Sequence, residues 1–398
     1  MALQSGIFNT SLNPAELNQR SFAASIMRLF PNGSAPLFAL SSQSGKATAK
    51  SSTHGYFSKT LSFVSQVLGA GVLIGATTIV LPSTAGIVVG AILFNPRTRE
   101  NVRVITVTNP TDIVVTRAFG RVVAAAMNIG DVLFQIGNAS EEGSNRPLAR
   151  RLTTTYVPNF TQIFRNAWAL TDTARASLAE AGFDNMTENR RECAMFHSID
   201  IETAIIWGQP KMDTSGSTPI HATQGIVDAL EQYAPGNTNT AGATTTYDQL
   251  VTMLEPAFEY ASDLGNPNER VGFVDKVAMR VLHSLGKLYG QIEIYQSETS
   301  FGMKFTSFQF YKGTIHLKEH PLLNGLGRTG SMLVVDPASY KLAYLTGRDT
   351  KAEEYGQGGK ILNGSGVDAV GGSLTSELAV ELVNPYANVL VEGLTAAA

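Results

Sequence analysis

The sequence predicts an α+β fold that is divided into several domains. At 398 residues the chain is longer than one hydrophobic core usually supports, so two or three domains are expected. Residues 56–137 and 296–348 contain short β-branched runs separated by turn residues, which is typical of strands. Residues 187–207 show the strongest helical pattern. Strands and helices in separate stretches favour the α+β class.

The composition predicts a surface that is largely covered by partners. Charged residues make up 16% of the chain, whereas roughly 25% is usual in soluble proteins. The net charge of -3 argues against a protein that coats nucleic acid, because such proteins carry a basic excess. The single cysteine, Cys193, excludes an intramolecular disulfide and a cysteine-based metal site, and we expect it to pack in a core.

The first 55 residues are predicted to form an N-terminal arm. Asn13-Pro14 predicts the start of an amphipathic helix that docks on the body of the protein or on a neighbouring subunit. Residues 1–60 carry five basic side chains against the single acid Glu16, so they form either a solvated basic arm or one that touches an acidic partner or nucleic acid. Residues 43–54 are predicted to be a flexible loop.

Residues 56–137 are predicted to be all-β. Strand patterns occur at Val102–Thr108, Asp112–Thr116 and Asp131–Ile136, with turn residues between them. The most apolar stretch, Val67–Phe94, is broken by glycines and a proline, whereas a membrane helix needs about 20 unbroken apolar residues. We therefore expect a small β-domain or an elaborated hairpin, with no membrane segment and no signal peptide.

A long helix is predicted at Thr187–Trp207, after an extended segment at Thr153–Ala169. Thr187 can cap the helix, and Gly208 and Pro210 end it. One helical face carries apolar and small side chains, whereas charged residues are placed off it. The residues on that face are Cys193, Phe196, Ile199, Thr203 and Ile206, and those off it are Arg190, Arg191, Asp200 and Glu202.

The last third of the chain is predicted to return from helices to strands. Helices are expected at Tyr247–Leu264 and Val271–Tyr289, and a long alternating strand at Met303–Leu317. Gly356–Gly372 predicts a glycine-rich loop, and Glu377–Val383 predicts a closing strand.

The enzyme motifs are weak. His316, Glu319 and His320 match the H-x-x-E-H pattern of one class of zinc protease, but that chemistry needs a helix. The preceding residues alternate like a strand, and Pro321 prevents a helix from continuing, so a zinc hydrolase stays an unfavoured alternative. Gly364–Ala369 resembles a dinucleotide-binding turn, but no helix pattern follows it. We therefore predict no catalytic, cofactor or metal residue and no enzymatic activity.

Four stretches resemble the Hong Kong 97-type major capsid fold of tailed bacteriophages. They are Asn138–Pro147 at the exit from an extended loop, Asn159–Arg165 before a spine helix, the spine helix Thr187–Trp207, and the closing strand and turn Glu377–Ala387. The resemblance covers most of the chain through soft patterns. It implies an arm, an extended β loop with an inserted β-domain, a peripheral domain with the spine helix, and an axial domain. The implied bounds are 1–55 for the arm, 56–137 for the loop, 138–235 and 374–398 for the peripheral domain, and 236–373 for the axial domain.

The function that this resemblance implies is structural. Such subunits form hexamers and pentamers that tile an icosahedral shell around double-stranded DNA, without reading its sequence. The expected partners are other copies, a portal protein, and separate scaffolding or decoration proteins. The expected location is the virion capsid, after assembly in the cytoplasm of a bacterial host. The alternative within the fold is an encapsulin-like nanocompartment shell, which the elaborated 56–137 segment disfavours.

Overall fold

A computed structural model describes most of the chain. The described residues are 36–41, 45–59, 64–144, 149, 151–177, 185–242, 244–260, 268–289, 294–300, 303–325, 329–355 and 369–395. The helix predicted from Asn13 and residues 364–368 of the turn at Gly364–Ala369 lie outside these ranges. The chain divides into two compact units, Phe57–Tyr156 and the combination of Met1–Tyr56 with Val157–Ala398.

The described elements confirm the α+β class. The helices are α1 Pro36–Ser41, α2 Asp172–Ala176, α3 Asn185–Trp207, α4 Ile226–Tyr233, α5 Tyr247–Leu254, α6 Lys276–Tyr289 and α7 Pro321–Gly325. The strands are β1 Lys46–Ala49, β2 Thr53–Ser58, β3 Ser65–Val67, β4 Thr78–Val80, β5 Ala91–Phe94, β6 Asn101–Val107, β7 Asp112–Thr116, β8 Val132–Asn138, β9 Thr155–Phe160, β10 Gln162–Thr171, β11 Lys211–Asp213, β12 Ile220–Ala222, β13 Thr238–Thr240, β14 Glu269–Val274, β15 Ile294–Ser300, β16 Met303–Phe310, β17 Gly313–Glu319, β18 Met332–Val335, β19 Tyr340–Leu345, β20 Lys351–Tyr355, β21 Ala369–Leu382 and β22 Val389–Glu392.

The Phe57–Tyr156 unit is built on one antiparallel sheet with the strand order β3-β8-β5-β6-β7-β4. Alternate residues of its strands, such as Val102 and Val104 on β6 and Ile113 and Val115 on β7, are fully buried in a single core. This period of two explains why the sequence predicted β6, β7 and β8 correctly.

The other unit contains two large sheets. A five-stranded sheet runs β1-β19-β21-β10, with β20 also paired to β21, and a seven-stranded sheet runs β13-β22-β18-β14-β17-β16-β15. The first core joins α1, α3 and α4 to residues of both sheets, including Phe164 and Phe273. A second core packs α5 and α6 on the seven-stranded sheet. The smaller pairs β2-β9 and β11-β12 complete the sheets of the described residues.

The predicted long helix is confirmed as α3, but its buried face differs from the prediction. Ile201, Glu202 and Ile205 are fully buried, whereas Phe196 is 55% exposed. After Trp207 the helix ends at Gly208, where a Cβ atom would lie 2.5 Å from the Ala204 and Thr223 carbonyl oxygens. Only glycine therefore permits this close backbone approach.

Four other predictions were wrong in detail. Residues 271–274, the start of the predicted helix Val271–Tyr289, belong to β14, because this short apolar run pairs in parallel with β17 and is buried on both faces. Asp275 accepts a hydrogen bond from the Ala278 amide at 2.6 Å and so caps α6. Helix α5 ends at Leu254, ahead of Pro256 and a 3₁₀ turn.

The predicted long strand at Met303–Leu317 is a hairpin of β16 and β17 that turns at Tyr311-Lys312. Residues 46–49 lie in the predicted flexible loop but form β1, which pairs in parallel with β19. Within the described helices, none is long and apolar enough to cross a bilayer.

Candidate assembly surfaces

The H-x-x-E-H residues do not come together in the structure. His316 lies on β17 and is 3.1 Å from the Ser307 hydroxyl, whereas exposed Glu319 accepts from the Asn324 amide. His320 is fully buried, and its Nε2 lies 2.7 Å from Glu202 Oε1. Among the described residues, no group of three or more His, Cys, Asp or Glu is placed to hold a metal ion. His316 and Glu319 lie on a strand, so the helix on which this motif would bind zinc is not formed here.

Glu202 is the centre of a buried anchor that the sequence did not predict. Its Oε1 accepts from the Leu37 amide at 2.8 Å and its Oε2 from the Phe38 amide at 2.6 Å. These amides belong to the first turn of α1, where backbone N–H groups have no partner within the helix. Together with His320, the carboxylate ties α1 to α3 and to the residue after β17. The separation of 165 residues between Glu202 and Leu37 explains why no local pattern indicated the site.

A second buried network resembles a hydrolase triad in its hydrogen bonds. His197 Nδ1 lies 2.7 Å from Asn166 Oδ1, and its Nε2 lies 2.8 Å from the Ser376 hydroxyl. Ser376 is fully buried in the middle of β21, so a substrate cannot reach its oxygen. Burial also lowers the pKa of His197, which keeps the ring neutral near pH 7. The network therefore joins α3, β10 and β21 structurally.

Two buried carboxylates organise the loops of the Phe57–Tyr156 unit. Glu100 is fully buried and forms a bidentate pair with Arg117, with both N–O distances at 2.8 Å, and it also accepts from the Ala118 and Ala125 amides. Burial opposes ionisation of Glu100, but these hydrogen bonds outweigh it and lower its pKa.

Asp131 holds a second set of loop contacts in this unit. It accepts from Arg97 Nε at 2.7 Å and from Asn95 at 2.9 Å. The hydrogen bond from Arg97 holds the pKa of Asp131 well below its ordinary value. Both carboxylates are ionised near pH 7, so they fix the loops without exposing an uncompensated charge.

On the side opposite the core, the six-stranded sheet carries apolar side chains among polar ones that include Thr78, Arg103, Thr106 and Asp112. We call this surface the outer face. It carries Val67 on β3, Val80 on β4, Phe94 on β5, Ile105 on β6, Val114 on β7, and Val132 and Phe134 on β8. Phe94 and Phe134 stack edge to face at 5.4 Å. Val67 and Val80 are each 54% exposed and Ile105 is 46% exposed, although a solvated sheet face is usually polar.

Exposed apolar residues are concentrated in this unit. Of the 21 large hydrophobic side chains that are exposed among the described residues, 14 lie within Phe57–Tyr156. The seven in the other unit are Ile163, Phe196, Met212, Ile220, Tyr260, Tyr311 and Tyr386. Contiguous exposed apolar surface marks a protein–protein interface. The geometry thus favours extended contact surfaces over a compact reactive site.

Comparison with known proteins assigns the family. The model of the SU10 major capsid protein family matches residues 5–395. The chain belongs to this family. The major capsid protein of Pseudomonas phage PaMx41 is 49% identical over 405 residues, which cover 99% of this chain and 97% of that protein. Membership of the SU10 major capsid protein family confirms the resemblance to phage capsid proteins and the role of a structural shell subunit.

Solved capsid structures resemble the chain more distantly. A structure from Mycobacterium phage Adephagia is 11% identical, covers 99% of each chain, and has a TM-score of 0.47. The SrpI encapsulin of Synechococcus elongatus PCC 7942 is also 11% identical, with a TM-score of 0.43, over 61% of this chain and 78% of the encapsulin. These low scores add nothing to the assignment, which rests on the sequence matches.

Proposed function

We propose that copies of this chain form hexamers and pentamers that tile an icosahedral shell around double-stranded DNA, and that the outer face is one of the contacts between copies. The exposed apolar side chains of the outer face are the observation that carries this proposal. When a neighbour covers its exposed valines and isoleucine, removal of this apolar surface from water stabilises the contact by roughly 25 cal/mol per Å². Repetition of one modest contact around a closed shell makes the assembly stable by multivalency.

Other parts of the proposal rest on the sequence and on the family. The domain assignment, with residues 138–235 and 374–398 as peripheral domain and 236–373 as axial domain, follows the capsid resemblance. A net charge of -3 suits a shell that encloses DNA without binding its sequence. A portal protein, scaffolding and decoration proteins are the further partners we propose. The single buried Cys193 suits assembly in a reducing host cytoplasm. We propose no catalytic activity, since the triad-like Ser376 is inaccessible.

The test is assembly of the purified chain carrying Ile105→Glu together with Val132→Glu. Two carboxylates on the outer face should prevent particles from forming, because each would be buried without a partner at the contact. Ser140→Glu, an exposed position in the same unit, is the matched control and should assemble normally. Particles are scored by light scattering and negative-stain electron microscopy.

Particles of normal size and yield from the double variant would remove the outer face from the proposal. Its thermal unfolding should match that of the parent chain, because exposed substitutions usually change stability by less than about 0.5 kcal/mol. Nuclease treatment and imaging of particles made in cells separates two shell types. Protected DNA supports the phage shell, and a protein cargo without DNA supports the nanocompartment.

A further inference from the structure

The charged side chains of the Phe57–Tyr156 unit are divided between the two ends of its six-stranded sheet. At one end β5 and β7 stop and β6 and β8 begin, and the loops there are residues 68–77, 95–100 and 117–131. The loops at the opposite end are residues 81–90, 108–111 and 139–144. The seven residues of β6 separate the two ends by roughly 20 Å.

The first end carries more arginines than carboxylates, and we call it the arginine end. Its charged residues are Arg97, Arg99, Arg117 and Arg121 against Glu100 and Asp131, a balance of +2. The two carboxylates are buried and already hold Arg117 and Arg97. Arg99 and Arg121 are exposed, and neither forms an ion pair within the described part of the chain. The unpaired charge at this end is therefore positive.

The loops of the arginine end are fixed by hydrogen bonds and expose apolar side chains. Arg117 donates to the Leu73 carbonyl at 3.0 Å and to the Ala125 carbonyl at 2.6 Å. Val72 and Met127 exchange two backbone hydrogen bonds of 2.8 and 2.9 Å, which join the first loop to the third. The large apolar side chains exposed on these loops are Leu73, Ile74, Phe119, Val123 and Ile129. The arginine end thus presents cations and apolar groups on a preorganised backbone.

Backbone strain is found at the same end. Arg99 and Ala118 have φ angles of +57° and +52°, and they are the non-glycine residues with positive φ among those that the structure describes. A side chain makes this conformation unfavourable, so it persists where surrounding contacts hold it. Here the Arg99 amide donates to the Asn95 carbonyl at 2.8 Å and the Ala118 amide donates to Glu100 at 2.9 Å. Strain held in this way is typical of functional surfaces.

The opposite end carries the reverse charge, and we call it the acidic end. Its charged residues are Asp112, Glu141 and Glu142 against Arg103, a balance of -2. Arg103 lies 3.3 Å from Glu141, whose side chain is 76% exposed, so this ion pair is weak. Glu142 is exposed and forms no ion pair with the described residues. Exposed apolar surface is added by Pro82, Val89 and Pro110.

A second copy of the chain is the partner that the two ends select together. The arginine end of one copy meets opposite charge and further apolar surface at the acidic end of another. DNA or an acidic protein would neutralise the arginine end but would be repelled by the acidic end. Two copies that met through equivalent ends would bring like charges together. The remaining charges described in this unit, Lys59 and Arg151, lie on the segments that enter and leave it. A head-to-tail contact between copies is therefore the arrangement that uses both ends.

We propose that the arginine end of one copy docks on the acidic end of the next, with Arg99 and Arg121 facing Glu141 and Glu142. This inference rests on the proposed shell of copies and adds a direction to it, because a head-to-tail contact repeats and can close into a ring. It does not depend on the apolar side chains of the outer face. Since the charged groups are exposed in the single chain, the contact should weaken as ionic strength rises.

The experiment exchanges the charges of the two ends in the full-length chain. The first variant, Arg99→Glu with Arg121→Glu, has two acidic ends. The second, Glu141→Arg with Glu142→Arg, has two basic ends, and the third combines all four substitutions. The controls change the charge by equal amounts at exposed positions of the other unit, and they are Lys211→Glu with Lys351→Glu and Glu231→Arg with Glu259→Arg. Assembly is measured against protein concentration by light scattering and sedimentation velocity, at low and moderate salt.

The first and second variants should each need at least about a tenfold higher concentration to assemble than the parent and the controls, because like charges then face each other. An equal mixture of these two variants should assemble at about the parent concentration, since each end then finds an opposite charge on the other variant. The third variant should assemble alone for the same reason. Circular dichroism should show the same fold in every variant.

Several outcomes would overturn the head-to-tail contact. Equal assembly of the parent and both single-end variants would remove it and leave the proposed shell standing. A parent chain that stays monomeric would remove the shell and the contact together. Loss of assembly without recovery in the mixture and in the third variant would show that these side chains do not face one another. If only the first variant failed, the arginine end would instead belong to another anionic partner.

Discussion

The central strands of the two units differ in whether both of their faces are buried. In the five-stranded sheet, β21 is buried along almost its whole length on both sides. In the Phe57–Tyr156 unit, β6 and β7 alternate, with one side in the core and the other on the open outer face. Both sheets carry apolar residues on both sides. The difference teaches that apolar character alone does not decide burial within one chain, which is why we propose the outer face as a contact between copies.

The two units also use buried charge differently. The small unit places Glu100 and Asp131 against arginines and loop amides, so ion pairs fix loops around a single core. The larger unit places Glu202 against two backbone amides and His320, which connects separate helices and a strand end. Loss of charge should therefore disturb one unit locally and the other through its long-range connections. The following experiments test this contrast.

Glu100→Ala should give the largest effect and should confine it to Phe57–Tyr156. The substitution leaves the Arg117 guanidinium buried without its carboxylate, which costs about 3–5 kcal/mol. Hydrogen exchange followed by mass spectrometry should show lost protection in β6 and β7 and unchanged protection in α3 and β21. Replacing Arg117 as well should restore part of the stability. Equal loss of protection in α3 would show that the units do not unfold separately.

Glu202→Gln should have a smaller effect, in the other unit. The amide keeps the size of the side chain, but one of its two ends is a donor facing backbone donors of α1, which costs about 1–3 kcal/mol. Denaturant unfolding should measure this loss, and proteolysis should cut near residues 36–41 sooner. Glu231→Gln, the same substitution at an exposed position on α4, is the matched control. A variant as stable as the control would remove Glu202 as the anchor of α1.

The smallest effect is a pH dependence that differs between the units. The folded state holds the pKa of His197 below its unfolded value of roughly 6.5. The unfolded chain therefore takes up a proton first, and stability is lost as pH falls from about 6.5 toward the lower folded pKa. Asp131 also has a lowered pKa, so its contribution persists to lower pH and is lost only as pH falls below about 4.

Acid titration followed by hydrogen exchange distinguishes the two pH ranges in which His197 and Asp131 lose their contributions to stability. Protection in α3 and β21 should decline at a higher pH than protection in β6 and β8. His197→Gln should remove the loss of stability that begins near pH ~6.5. Asp131→Asn should remove the loss below pH ~4, and it should also reduce stability at pH 7. Identical pH profiles for the two units would break the comparison.

The sequence by itself determined the parts of the fold that depend on neighbouring residues. The cap and stop signals around Thr187–Trp207, the alternation in β6 to β8 and the proline after His320 are local, so the long helix, the strands and the absence of an H-x-x-E-H helix were predictable. The capsid resemblance, which rested on the order of such elements, is confirmed by family membership.

Only the tertiary structure decided which residues are buried and which are exposed. Glu202 was placed on the outside of α3 because it is charged, yet three hydrogen bonds from distant residues make its full burial favourable. Residues 271–274 belong to a strand because β17 pairs with them, although the sequence pattern predicted a helix from Val271. The same alternation that predicted β6 could not tell an open outer face from a covered one. Each of these outcomes depends on contacts between residues far apart in the chain, and local periodicity carries no information about such contacts.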